Sequence, residues 1–150
     1  MARKKYGLVK KPAREVHAPV PGGIKGREYP TMTYMSNDLV PGCNMYLELG
    51  WIWDMPDPNP HIFEHSHDHD EIVLHIGSDF KNPEKLGAEI EFVVGGEPLI
   101  IDKTSALFIQ KGVRHGPVTW KKVDRPHIQM AIIVGAGTLA ESAPGGYKGK

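Results

Sequence analysis

The chain has a single cysteine, Cys43, among its 150 residues. That excludes an internal disulfide and a cysteine-rich zinc knuckle. It also lacks net charge, with 18 Lys and Arg against 18 Asp and Glu. The balance gives no general attraction to nucleic acid or an anionic membrane, and neither is expected as a partner. No apolar run approaches the length of a membrane span. The basic N-terminus has no apolar core of the kind a signal peptide carries, so a cytoplasmic location is expected. Aromatic residues are scarce in the first thirty positions, where only Tyr6 and Tyr29 occur. The cations there (Arg3, Lys4, Lys5, Lys10, Lys11, Arg14) therefore read as a solvated or subunit-wrapping extension rather than a groove for single strands. A long amphipathic helix is missing as well.

What the chain does contain is a succession of short alternating segments separated by turn residues. Residues 1–30 hold many prolines and glycines and read as an extended N-terminal arm. From Thr31 to Val134 the pattern is that of strands, and residues 135–150, rich in glycine, read as a mobile tail. Cys43–Asp54 is the clearest strand. Its odd positions, Cys43, Met45, Leu47, Leu49, Trp51 and Trp53, are all apolar, and they are expected to face a core. Trp51 and Trp53 fit a core or a subunit interface best, and Trp53 is also a candidate to stack on a ligand. Further strands are expected over 62–67, 71–76, 88–94, 97–101, 104–109 and 126–134. Gly95-Gly96 marks a hairpin, and Gln110–Pro117 reads as a turn. Many short strands with regular turns point to an all-β barrel or sandwich.

The densest chemistry lies in His65–Gly77, HSHDHDEIVLHIG. His65, His67, His69, Glu71 and His75 recur at even spacing, so in extended backbone they share one face. Imidazole with a carboxylate suits a first-row transition ion. A hairpin turning at Asp68–Asp70 would set His65 and His67 opposite Glu71. The bland alternative is a histidine-rich surface loop that binds metal loosely.

At this point the residues resemble the cupin superfamily, small β-barrels of the jelly-roll type. His65-x-His67-x3-Glu71 fits the core of the first cupin motif, although Asn59 stands where its leading glycine belongs and Gly77 falls one residue short. Gly112-x2-His115 fits the second motif, with Gln110 replacing its proline, Thr104 its leading glycine and Thr119 its final asparagine. The resemblance covers roughly residues 40–134. It implies a single-domain double-stranded β-helix in which His65, His67, Glu71 and His115 hold one divalent metal per chain. Fe(II) is favoured, with Mn, Ni, Zn or Cu as alternatives. His69 is an alternative to His65, because His67-x-His69 repeats the local form.

Other polar residues are candidates for the barrel interior. His75 shares a strand face with Glu71, and His127 and Gln129 share parity in the last strand; the two histidines are candidate proton carriers and Gln129 a candidate substrate contact. His69 and Arg114 are further candidate substrate contacts, although a solvated turn is the plainer place for Arg114. Three imidazoles and a carboxylate leave coordination positions open for a ligand. The resemblance then implies an iron(II) dioxygenase acting on a small chelating oxyacid, diketone or phenolic compound. A redox-neutral isomerase or lyase and a non-catalytic ligand-binding cupin are the alternatives. The resemblance and the long N-terminal arm also lead to the expectation of a homodimer.

Overall fold

A computed structural model describes residues 5–16 and 19–142. Ten strands occur there: β1 (Ala13–Glu15), β2 (Lys25–Arg27), β3 (Thr31–Met35), β4 (Met45–Asp57), β5 (Asp70–Gly77), β6 (Lys85–Val94), β7 (Glu97–Lys103), β8 (Ser105–Ile109), β9 (His115–Val123) and β10 (His127–Val134). One short helical turn, Leu139–Ser142, follows. Among the described residues no helix is long and apolar enough to cross a membrane.

All pairings are antiparallel. Seven strands form one sheet in the order β1-β3-β4-β10-β5-β8, with β2 also on β4, and β7-β6-β9 form a second. The larger sheet gives its inner face to a core built with the smaller one: Ile52 and Val73 meet Leu86, Ile90, Phe92, Val118 and Trp120. Burying each such side chain contributes about 1.5–3 kcal/mol. The hairpin at Gly95-Gly96 and the strands before and after it lie where the alternation puts them.

Four expectations change. In β4 the buried residues are all even ones, Tyr46, Gly50, Ile52 and Pro56, while Met45, Trp51, Trp53 and Met55 are exposed. Alternation defined the strand correctly but not which face is inside, because the inward face of a cavity-bearing barrel tolerates polar groups. The outward face is apolar too: Trp51 lies across from Ile128, Leu49 from Met130 and Leu47 from Ile132 on β10.

Second, residues 62–67 do not hairpin onto β5. They bridge to β9, Ile62 to Val118 and His65 to His115. Third, Gln110–Pro117 is only partly a turn, since β9 begins at His115 and runs to Val123. Fourth, the supposed arm is part of the barrel, because β1 pairs with β3 and β2 with β4. Gly26 makes the last contact feasible. It has φ +79°, and a side chain there would meet the Asp54 carbonyl at 2.8 Å, so only glycine lets β2 approach the irregular end of β4. In the expected tail, Ala136 is fully buried and Gly137 accepts from the Asn37 amide; residues 143–150 lie outside the described residues.

Candidate metal centre and cavity

His65 and His115 face each other because their backbones do. Each amide donates to the other's carbonyl at 2.8 Å, and the Gly112 amide donates to His67 O at 2.8 Å. Two loops and one strand start are thereby tied into a single frame. The ring centroids of His65 and His115 are 4.3 Å apart, those of His65 and His67 5.0 Å, and those of His67 and His115 5.2 Å. All three side chains are buried, and one ring nitrogen from each lies within 4.8 Å of the others. Opposite nitrogen donors on one first-row ion are about 4.2 Å apart, twice a bond of roughly 2.1 Å. The cluster can therefore hold a metal ion with small side-chain adjustments.

Outer contacts favour the same reading. His65 Nδ1 lies 2.6 Å from the Phe63 carbonyl and His115 Nδ1 2.9 Å from that of Val113. Carbonyls can only accept, so Nδ1 carries a proton in both rings and Nε2 is the nitrogen turned toward the cluster. Glu71 reaches the cluster from β5, with Oε1 3.2 Å from His115 Nε2 and Oε2 3.3 Å from His67 Nε2. Burial pushes its carboxyl up, but the two imidazoles outweigh that and hold it at about 2. His65 is lowered to about 4 by burial and by His115. His65 thus offers a neutral nitrogen and Glu71 a carboxylate at neutral pH, the protonation state that metal ligation requires.

The centre opens on a cavity of about 140 Å³ between the sheets. Its walls include His65, His67, Glu71, Val73, Phe92, Glu48, Ala131 and Gln129, together with Arg27, Tyr29 and Thr31 from the first strands. The cavity adjoins the histidine cluster and is smaller than the usual ligand pocket of ~300–1,000 Å³.

No protein-family model and no curated protein matches the chain. Among solved structures, a predicted oxalate decarboxylase from Thermotoga maritima superposes with a TM-score of 0.52 at 15% identity, over 89% of this chain and 98% of that one. The polyketide cyclase RemF from Streptomyces resistomycificus gives 0.51 at 12% identity, over 89% and 80%. A cupin protein from Bacteroides fragilis gives 0.47 at 18% identity, over 72% and 78%. The likeness shows a shared barrel fold and nothing finer. A cupin barrel hosts many chemistries, so activity has to be read from the side chains.

The structure brings His65, His67, His115 and Glu71 together, and His69 lies apart, beside Gly135. His75 and His127 are buried on the inner side but do not line the cavity. His127 Nε2 accepts the indole proton of Trp120 at 3.1 Å, and His75 Nε2 lies 3.4 Å from Gln129 Nε2. Burial lowers His75 to about 3, aided by His127 and Arg27, and lowers His127 to about 4. Gln129 does line the cavity. Trp53 does not, because the parity of β4 sends it outward, 53% exposed. Arg114 is exposed and pairs with Glu64 at 2.6 Å, the solvated-turn reading of that residue.

Two basic residues at the cavity, Arg27 and His61, were missed from sequence. Arg27 is buried at 8% exposure, although it belongs to the stretch taken for an arm. Its Nη1 lies 2.7 Å from His61 Nε2 and donates to Gln129 Oε1 at 3.1 Å. His61 stacks on Trp120, centroids 5.3 Å apart, and burial and Arg27 lower it to about 3. The odd parity that His61 shares with His65 and His67 was the only available signal for it; nothing local marked Arg27.

Proposed function

We propose that this cupin is a mononuclear metal-dependent oxidoreductase of the iron(II) dioxygenase type, acting on a small chelating oxyacid, diketone or phenolic compound. The observation that supports it is the buried trio of imidazoles with Glu71 at the wall of a cavity, a centre with space beside it for a ligand. An iron(II) ion there would supply Lewis acidity and one-electron chemistry with dioxygen. The chain's own residues do the rest. Phe63 O and Val113 O fix the rings of His65 and His115. Glu71 contributes negative charge that favours a cation. Val73, Phe92, Ala131 and Ile133 give the cavity beside the centre an apolar lining.

A redox-neutral isomerase or lyase is the second reading: a divalent ion held by the same three imidazoles would polarise a ligand carbonyl with no need of oxygen. The deciding experiment reconstitutes the protein separately with Fe(II), Mn(II), Ni(II), Zn(II) and Cu(II). Each form is then given a panel of oxyacids, diketones and catechols, with and without oxygen. Oxygen uptake matched to product with iron alone supports the dioxygenase. Anaerobic turnover replaces it with the second reading, and metal and ligand binding without turnover under either condition makes the protein a binding cupin.

We also propose a homodimer that pairs through the outer face of the seven-stranded sheet. The apolar ladder there continues from β4 and β10 into β5 and β8, with Met130 across from Leu74 and Ile72 across from Phe108. Apolar surface of that continuity is what protein interfaces cover.

A further inference from the structure

We propose that Arg27 anchors a carboxylate of the substrate, so that the ligands of this centre are acids carrying a second anionic group several carbons from their metal-chelating oxygens. The inference rests on the metal-centre reading above and narrows it: neutral diketones and simple phenols bind without this contact.

Among the described lining residues Arg27 is the one Lys or Arg, and it shares the cavity with Glu48 and Glu71. A guanidinium keeps its charge when buried and presents a planar fork that matches a carboxylate. Its orientation is fixed: Nη1 is held between His61 Nε2 and Gln129 Oε1, and Nη2 lies over Gly50, where a side chain's Cβ would come within 3.6 Å of it. Gln129 is a positioning residue here, because its oxygen is turned to Arg27 and its nitrogen lies toward His75.

The strand ladder sets the length of the ligand. Glu71 pairs with Ile133, whereas Gln129 pairs with His75, four residues along both strands. Four residues of strand span roughly 13 Å between Cα atoms, part of which the side chains of Arg27 and Gln129 take up. Val73 and Ala131 pair at the level between and line the cavity there. A two-carbon acid held at the metal centre is too short to touch both ends.

The test uses full-length protein loaded with Ni(II) and isothermal titration calorimetry with three probes: 2-oxoadipate, its distal methyl ester, and acetylacetone. Wild type is expected to bind the diacid roughly tenfold to a hundredfold more tightly than the ester, the range of one charge-assisted contact. Arg27→Gln should abolish that ratio and leave acetylacetone unaffected, and Arg27→Lys, which keeps the charge, should retain part of the ratio. Thermal melts identify any variant that has not folded, and Arg27→Lys then carries the test alone. A diacid-to-ester ratio near one in the nickel-loaded wild type, or an unchanged ratio in both variants, overturns the anchor and leaves the metal centre standing. Failure of wild type to retain nickel overturns the metal-centre reading, and the anchor with it.

Discussion

Four interior histidines should make this protein unusually sensitive to mild acid. His61 and His75 are lowered to about 3, His65 and His127 to about 4, in each case chiefly by burial. In the unfolded chain each returns to the ordinary value near 6.5. The unfolded state therefore takes up protons first, so the stability is fully present above 6.5 and is lost as pH falls from 6.5 toward 4 for His65 and His127 and toward 3 for His61 and His75. Between pH 7 and pH 5 each imidazole costs about 2 kcal/mol, since the unfolded ring is then almost fully protonated and the folded one is not. Four such groups lose about 7 kcal/mol together, comparable with the ~5–15 kcal/mol that holds a whole domain. Glu71 changes little over this interval, because its stabilising effect is present above the ordinary carboxylate range and is lost only as pH falls toward 2. The assay is urea unfolding of metal-free protein at pH 7, 6 and 5, followed by tryptophan fluorescence. The midpoint should collapse by pH 5, and His127→Gln should shed about a quarter of the pH dependence. An unfolding free energy that changes by less than about 1 kcal/mol over this range would refute the argument that these rings are buried and neutral.

Gly116→Ala should damage the metal centre without touching a ligand. Gly116 has φ +98°, which costs an alanine about 1–2 kcal/mol, and the new methyl would strike the Phe63 carbonyl that orients His65. Metal affinity should fall while the fold survives, as measured by competitive chelation beside circular dichroism; unchanged affinity would contradict the strain argument. Trp51→Glu paired with Phe108→Glu should halve the mass in solution by light scattering, since Trp51 and Phe108 lie on the outer apolar face. A mass unchanged by both would remove that face from the interface. Trp53→Ala should leave ligand affinity within about twofold, because an outward side chain contributes little to an interior site.

Much of the barrel was legible because strand alternation is a local property. The hairpin at Gly95-Gly96 and the segments 88–94 and 97–101 needed only their own residues. The identity of the inner face was a different matter. Met45 through Met55 present apolar residues on the odd positions of β4, yet Tyr46 and Ile52 are the fully buried ones. Which apolar face is inside depends on what else covers it, and a single strand carries no record of that. The three histidines and Glu71 were found through motif spacing rather than through correct pairing. His65 faces His115 across a bridge instead of Glu71 across a hairpin, a partner fifty residues away that no local pattern reveals. Arg27 shows the same limit. It stands 102 residues from Gln129 in the chain and within hydrogen-bond distance of it in the fold. Removing residues 1–30 would strip β1, β2 and Arg27 from the barrel, so that truncation does not isolate a subunit contact.

The most direct test is metal content with X-ray absorption on the reconstituted protein and its His115→Ala variant. The account predicts one first-row ion per chain with a shell of imidazole nitrogens and carboxylate oxygen, and a loss of at least about tenfold in affinity for the variant. An ion retained equally well without His115, or one whose shell contains no imidazole, would contradict it.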